Sequence, residues 1–310
     1  MMGAVRCFVV VVVAVMICDA AWAGTLVVTA HAAMTPVAGA NVEVQPCGIT
    51  GRTNADGKWK GAVPAGRQQV IVWATVRGAL KGGIADFTML AGNHDLSVPM
   101  VDAVWIYDYW PMAVGNAWQY EYRHSGADGA YRATWRERID RTEAYDGDTA
   151  MVVAASKDGV PEWEELRACN RNGFAMYTQQ HGSDTIKFDP PIKFGPLLPL
   201  GYEWVRRTTA RHSDGSPDTP VLMRAKFSRL HDVRVPRGLF PDCAQIDVRF
   251  ELGPDGNDLT VWMAEDVGVV REIEKNRERT NTKLLEEYSV RGVLPLRPIR
   301  PVRPLTPTFP

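Results

Sequence analysis

The sequence predicts an all-β protein: an N-terminal β-sandwich followed by a curled antiparallel sheet, a half-barrel. Three observations point there. Polar and apolar residues alternate with period two in short runs, as in half-buried strands. Asp-Gly pairs (Asp128-Gly129, Asp158-Gly159, Asp214-Gly215, Asp255-Gly256) recur between the runs as hairpin turns. Helical segments are absent from the pattern, so the runs form a meander.

Residues 1–23 read as an export signal. Met1 to Arg6 is a short basic start, Phe8 to Ile17 is an unbroken apolar run, and Ala21-Trp22-Ala23 supplies the small residues a signal peptidase recognises. Cleavage is expected between Ala23 and Gly24, leaving the chain periplasmic or extracellular. The apolar run is shorter than the roughly 20 residues a membrane span requires, and no later stretch is apolar enough. A lipid-modified Cys18 would need a small residue before it, and Met16 and Ile17 are bulky.

Residues 24–100 hold the sandwich strands. Thr25 to Ala30 and Asn41 to Gln45 are strand-like, Asn54 to Gly57 is a turn, and Trp59 follows as the first large inward residue. Val63 to Gly66 turns the chain into Gln68 to Ala74, and Phe87 to Leu90 and Leu96 to Met100 complete the set. The runs Pro36 to Val42, Thr53 to Trp59 and Val63 to Gly66 resemble the carboxypeptidase-regulatory-like, prealbumin-type sandwich domains. Asn54 and Trp59 stand where that family often has Asp and Phe or Tyr. The resemblance implies a spacer, an accessory module or a glycan binder.

Residues 101–112 form an aromatic linker, with Trp105, Tyr107, Tyr109 and Trp110 before Pro111. Large exposed apolar patches are uncommon, so these rings are expected to plug the seam between domains. Residues 113–290 carry the half-barrel runs, among them Trp118 to Tyr122, Tyr131 to Ile139, Trp163 to Cys169, Glu203 to Arg211, Ala244 to Leu252 and Val269 to Glu274. Three segments, Tyr109 to Trp118, Val235 to Cys243 and Trp262 to Val270, resemble motifs of a group of bacterial exported proteins of ill-defined function. Glu265-Asp266 departs from that group's small or glycine-containing pair. The group is similar in layout to LolA-like half-barrels, which implies a curved sheet holding a lipid or a lipid-modified chain. Residues 291–310, rich in Pro and Arg, read as a disordered tail of polyproline character.

Charge is nearly balanced, with 35 Lys and Arg against 36 Asp and Glu, which gives no sequence-independent attraction to nucleic acid. Cys47, Cys169 and Cys243 remain after cleavage without C-x-x-C spacing, which argues against zinc-ribbon and thioredoxin-like chemistry. In an oxidising compartment Cys169 and Cys243, both in the second domain, are the candidate disulfide, with buried free thiols as the alternative. Gly92-Asn93-His94-Asp95 resembles a phosphoesterase turn but lacks every partner motif that two metals require. The six histidines show no i, i+2 or i, i+4 pairing, so neither metal nor cofactor is expected. Glu164-Glu165 and Glu286-Glu287 are expected to be solvated pairs on opposite strand faces.

What remains is aromatic. Nine tryptophans follow the cleavage position. Trp118, Trp135, Trp163, Trp204 and Trp262 are the candidates for an apolar trough in the second domain. The expectation is a non-enzymatic envelope protein that binds an apolar ligand or a lipoprotein segment. The alternative is a carbohydrate-binding or adhesive module that stacks sugars on Trp59, Trp73, Trp105 and Trp110.

Overall fold

The computed structural model describes residues 22–145, 147–252 and 255–291, and it is all-β apart from one turn of helix. The predicted leader and the Pro/Arg-rich tail lie almost wholly outside the described residues.

Two sheets share the first core. One contains β1 (Trp22–Ala32), β2 (Thr35–Pro36), β5 (Lys58–Pro64) and β8 (Gly92–Pro99), with β8 parallel to β1. The other contains β3 (Asn41–Gln45), β4 (Ile49–Arg52), β6 (Gly66–Val76), β7 (Ala79–Met89) and β9 (Val101–Trp105), joined by β16 (Leu197–Pro199) from much later in the chain. The inward phase of each strand supplies the core: Leu26, Val28, Val42, Val44, Val70 and Val72 are fully buried.

The turn at Asn54 forms as its residue types dictate. Its Oδ1 accepts the Asp56 and Lys58 N–H groups at 3.0 and 2.9 Å, and Gly57 takes φ 71°. Trp59 then lies across two glycines, because a Cβ at Gly51 or Gly61 would stand 2.0 or 2.4 Å from its ring. Thr53 ties the neighbouring loop: its buried hydroxyl donates to the Val37 carbonyl at 2.6 Å and accepts the Ala40 N–H at 2.9 Å.

After β9 the chain makes the helical turn α1 (Ile106–Tyr109) and enters a closed barrel. Its strands are β10 (Ala117–Gly126), β11 (Gly129–Tyr145), β12 (Asp148–Lys157), β13 (Val160–Asn170), β14 (Gly173–His181) and β15 (Asp184–Phe194). They continue through β17 (Glu203–His212), β18 (Thr219–Val235), β19 (Gly238–Leu252), β20 (Asp255–Ala264), β21 (Gly268–Lys275) and β22 (Arg279–Ser289). All neighbours are antiparallel, and β22 returns to pair with β10 from Ala117↔Ser289 to Gly126↔Arg279.

This closure corrects the predicted half-barrel: the sheet is a twelve-stranded barrel with no free edge. Two smaller differences accompany it. Asp255-Gly256 opens β20, paired with Leu252 and Glu251, instead of forming the turn. The Pro-rich loop near 195–201 leaves the barrel to add β16 to the sheet that contains β9, where Leu198 pairs with Val104.

Candidate functional site

The hairpins from β10 to β11, β12 to β13, β14 to β15 and β17 to β18 all turn at one rim, while β11 to β12 and β13 to β14 turn at the opposite end. At that opposite end α1 packs under the barrel: Ile106 and Trp110 enter its interior, and the Asp108 carbonyl accepts the Asp266 N–H at 2.7 Å. Trp110 stacks on Phe174 with ring centres 4.6 Å apart. Ile106 and Trp110 thus form the floor of the lumen. Trp105 stacks on Tyr107 at 5.8 Å and meets Trp73 edge-on at 5.6 Å.

Above this floor lies a cavity of about 850 Å³. It is lined unevenly because the strands alternate differently around the barrel. Strands β15 and β17 to β20 turn Phe188, Trp204, Met223, Ala225, Ile246 and Val261 inward, and these join one buried apolar cluster. Strands β11, β13, β21 and β22 turn charge inward: Glu137, Glu165, Arg167, Glu272 and Lys283. The lumen is greasy along one arc and ionic along the other.

The ionic arc is paired internally. The Lys283 ammonium donates to Glu137 at 2.9 Å and to Glu272 at 3.0 Å, and lies 4.5 Å from the centre of the Trp135 ring. The Trp135 indole N–H donates to Glu137 at 2.9 Å. Arg167 is clamped by Glu165, which also accepts from Gln179 at 2.9 Å. The Arg167 guanidinium sits between the rings of Trp110 and Trp163, at 5.6 and 5.4 Å. Nearer the mouth, Glu274 accepts from Asn281 at 2.9 Å and from Asn257 at 3.3 Å.

Burial drives the protonation of these groups in different directions. It would lower the Lys283 pKa, but Glu137 and Glu272 more than offset this and hold the ammonium well above the usual lysine range. It would raise Glu137, yet Lys283, Arg167 and the two hydrogen bonds keep that carboxyl below its ordinary value. At Glu272 burial wins: helped by repulsion from Glu137 and Glu274, it raises the carboxyl despite Lys283.

Of the five tryptophans proposed to line a trough, Trp135, Trp163 and Trp204 face the cavity. Trp118 and Trp262 are buried in the wall away from it. Trp118 donates to the Val267 carbonyl at 2.6 Å, and Trp262 donates to His231 at 2.7 Å beneath the Arg271 guanidinium. The four candidate sugar-stacking rings do not form one platform: Trp59 is in the first core, Trp110 faces the lumen, and Trp73 and Trp105 pack on each other. The proposed Cys169–Cys243 bridge is not formed; Cys47, Cys169 and Cys243 are free thiols. At the rim Asp184, His212 and Asp214 converge, with His212 Nδ1 3.0 Å from Asp184.

Sequence reasoning missed the ionic arc. It took Glu164-Glu165 as a solvated pair, whereas Glu165 is buried on Arg167 and Gln179. The signal was present in the alternation: Glu137 falls between Trp135 and Ile139 in one inward phase, and Lys283 shares its phase with Leu285.

No protein-family profile matches the chain, and no curated protein matches it. Among solved structures, it is similar to one presented as an exported protein with YmcC-like fold from Bacteroides fragilis, at 15% identity and a TM-score of 0.41. It is also similar to one presented as a lipoprotein from Parabacteroides distasonis, at 12% identity and a TM-score of 0.37. Each alignment covers 58% of this chain and 98% of the other.

Proposed function

We propose that the chain is an exported, non-enzymatic binding protein of the cell envelope, whose barrel holds a molecule or lipid-modified segment with a long apolar part. The observation that carries this reading is the two-sided lumen. A volume of about 850 Å³ falls within the roughly 300–1,000 Å³ of ligand pockets, and Phe188, Met223, Ala225, Ile246 and Val261 give its apolar arc a predominantly hydrocarbon face. The ionic arc supports binding over catalysis, because its acids and bases are paired with one another and not poised on a nucleophile.

The wall's polarity supports a barrel that works in water. Arg132, Arg136 and Arg138 are exposed on the outer face, the side that would meet lipid in a membrane barrel. Among the described residues, no helix is long and apolar enough to cross a membrane. Export itself rests on the basic start, the apolar run and the Ala21-Trp22-Ala23 ending of the leader.

The test is native mass spectrometry of the protein purified from its own host without detergent, before and after organic extraction. The reading expects a bound mass, released by solvent, that contains a long alkyl chain. A protein that carries no adduct and takes up no apolar fluorescent probe would overturn it.

A further inference from the structure

The two arcs of the lumen meet at a seam between β20 and β21. There Val261 of the apolar arc pairs in register with Glu272, and Leu259 pairs with Glu274. A chain lying along the apolar arc would therefore bring its polar end beside these two carboxylates.

The charges around the seam are one-sided. Four carboxylates, Glu137, Glu165, Glu272 and Glu274, share the ionic arc with two cations, Arg167 and Lys283. Both cations are already engaged: Arg167 by Glu165 under two indole rings, and Lys283 by Glu137 and Glu272 over Trp135. Glu272 shares its lysine with Glu137, and Glu274 receives only the amides of Asn257 and Asn281. The remaining lining charges sit toward the mouth: Lys157 is paired with Glu162 at 2.9 Å, Asp128 with His124 at 2.8 Å, and Arg279 is exposed.

An anionic head group at the seam would face two carboxylates, while Arg279, the remaining lining cation on that side, is exposed toward the mouth. An ammonium would meet the reverse. Its charge would complete the set, and its N–H groups match carboxylate acceptors, which make the stronger, charge-assisted hydrogen bonds. The aromatic walls add favourable quadrupoles for a cation.

We infer that the molecule held in the barrel is a cationic amphiphile: an alkyl chain along β15 and β17 to β20, ending in an amine that seats between Glu272 and Glu274. This rests on the proposed binding role. The raised pKa of Glu272 agrees with it: burial, helped by repulsion from Glu137 and Glu274, outweighs the attraction of Lys283.

The experiment compares three probes of equal chain length, dodecylamine, dodecanol and dodecanoate, by displacement of an apolar fluorophore at pH 7 and below their micellar concentrations. The amine is expected to bind about ten-fold more tightly than the carboxylate, a difference of about 1.4 kcal/mol. The E272Q/E274Q variant should bring the two within about two-fold while leaving dodecanol unchanged. Dodecanoate binding as tightly as dodecylamine to the wild-type protein, or a preference that survives E272Q/E274Q, overturns the head-group assignment and leaves the barrel reading standing. Failure of all three probes, dodecanol included, overturns both.

Discussion

The Lys283 ammonium and the Trp135 indole converge on one oxygen: both donate to Glu137 Oε1, while the ammonium also lies over the Trp135 ring at 4.5 Å. The side chains of Lys283 and Glu137 each keep only 12% of their surface exposed, so this is an interior ion pair, unlike the many exposed pairs on the outer wall. Such pairs are costly to break from one side, because the surviving charge is left without its partner.

Lys283→Met is therefore expected to destabilise the protein by about 3–5 kcal/mol, read as a fall in the urea midpoint at pH 7. Replacing the set together, as in K283M/E137L/E272L, should recover most of that loss, because no buried charge is then orphaned. A single variant with wild-type stability would show that water reaches the pair freely.

Glu272→Gln should act in the opposite direction. The folded carboxyl titrates above its unfolded value, so its contribution is favourable while it is protonated and is lost as pH rises through the folded pKa. At pH 7 the glutamine variant should have the higher urea midpoint. The gap should close as pH falls below the unfolded glutamate value of about 4.3, where the glutamic acid is protonated in both states. A gap that widens toward acid would reverse the sign of the shift.

Ala225→Phe should fill the apolar arc. Ala225 is buried against the lumen, paired with Trp204 and Val248, and a phenyl ring there has space to enter. Uptake of an apolar probe should weaken by about ten-fold or more, with stability within about 1 kcal/mol of wild type. Equal uptake by wild type and variant would place binding outside the barrel.

The thiols of Cys169 and Cys243 are both pushed up to about 12, chiefly by burial, and the thiolate is the reactive form. At pH 8 the native protein should alkylate at these positions slowly, and at full rate in urea. Peptide mass spectrometry resolves the two sites, and rapid native labelling at either would contradict their burial.

Local chemistry was legible in the sequence and long-range closure was not. Asn54, Asp56 and Gly57 make the turn their residue types demand, and Asp158-Gly159 takes positive φ at both positions, as a hairpin of that composition should. By contrast, the barrel is closed by β22, whose segment Arg279–Ser289 is mostly polar and charged. Its inward residues include Asn281 and Lys283, so no apolar alternation marks it as a strand. Its partner begins at Ala117, more than a hundred residues earlier, and only coordinates reveal that the two meet. The same residues hid the ionic arc: buried charge looks like surface charge until its counter-ions, drawn from distant strands, are in view. Trp118 and Trp262 lie outside the lumen; alternation marks a buried face without saying whether it looks onto a hollow or into a packed wall.

The base of the barrel has an owner elsewhere in the chain. Ile106 and Trp110 belong to the segment that leaves the first pair of sheets, while Leu197–Pro199 departs from the barrel to complete one of those sheets, with Leu200 donating to the Asp102 carbonyl at 2.7 Å. A scission at Pro111 would thus take the bottom off the vessel and strip an outer strand from its neighbour in one stroke. The two halves are interleaved pieces, each of which holds part of the other's architecture, and severing them yields a pipe and a frayed remnant where the linear order promised two modules.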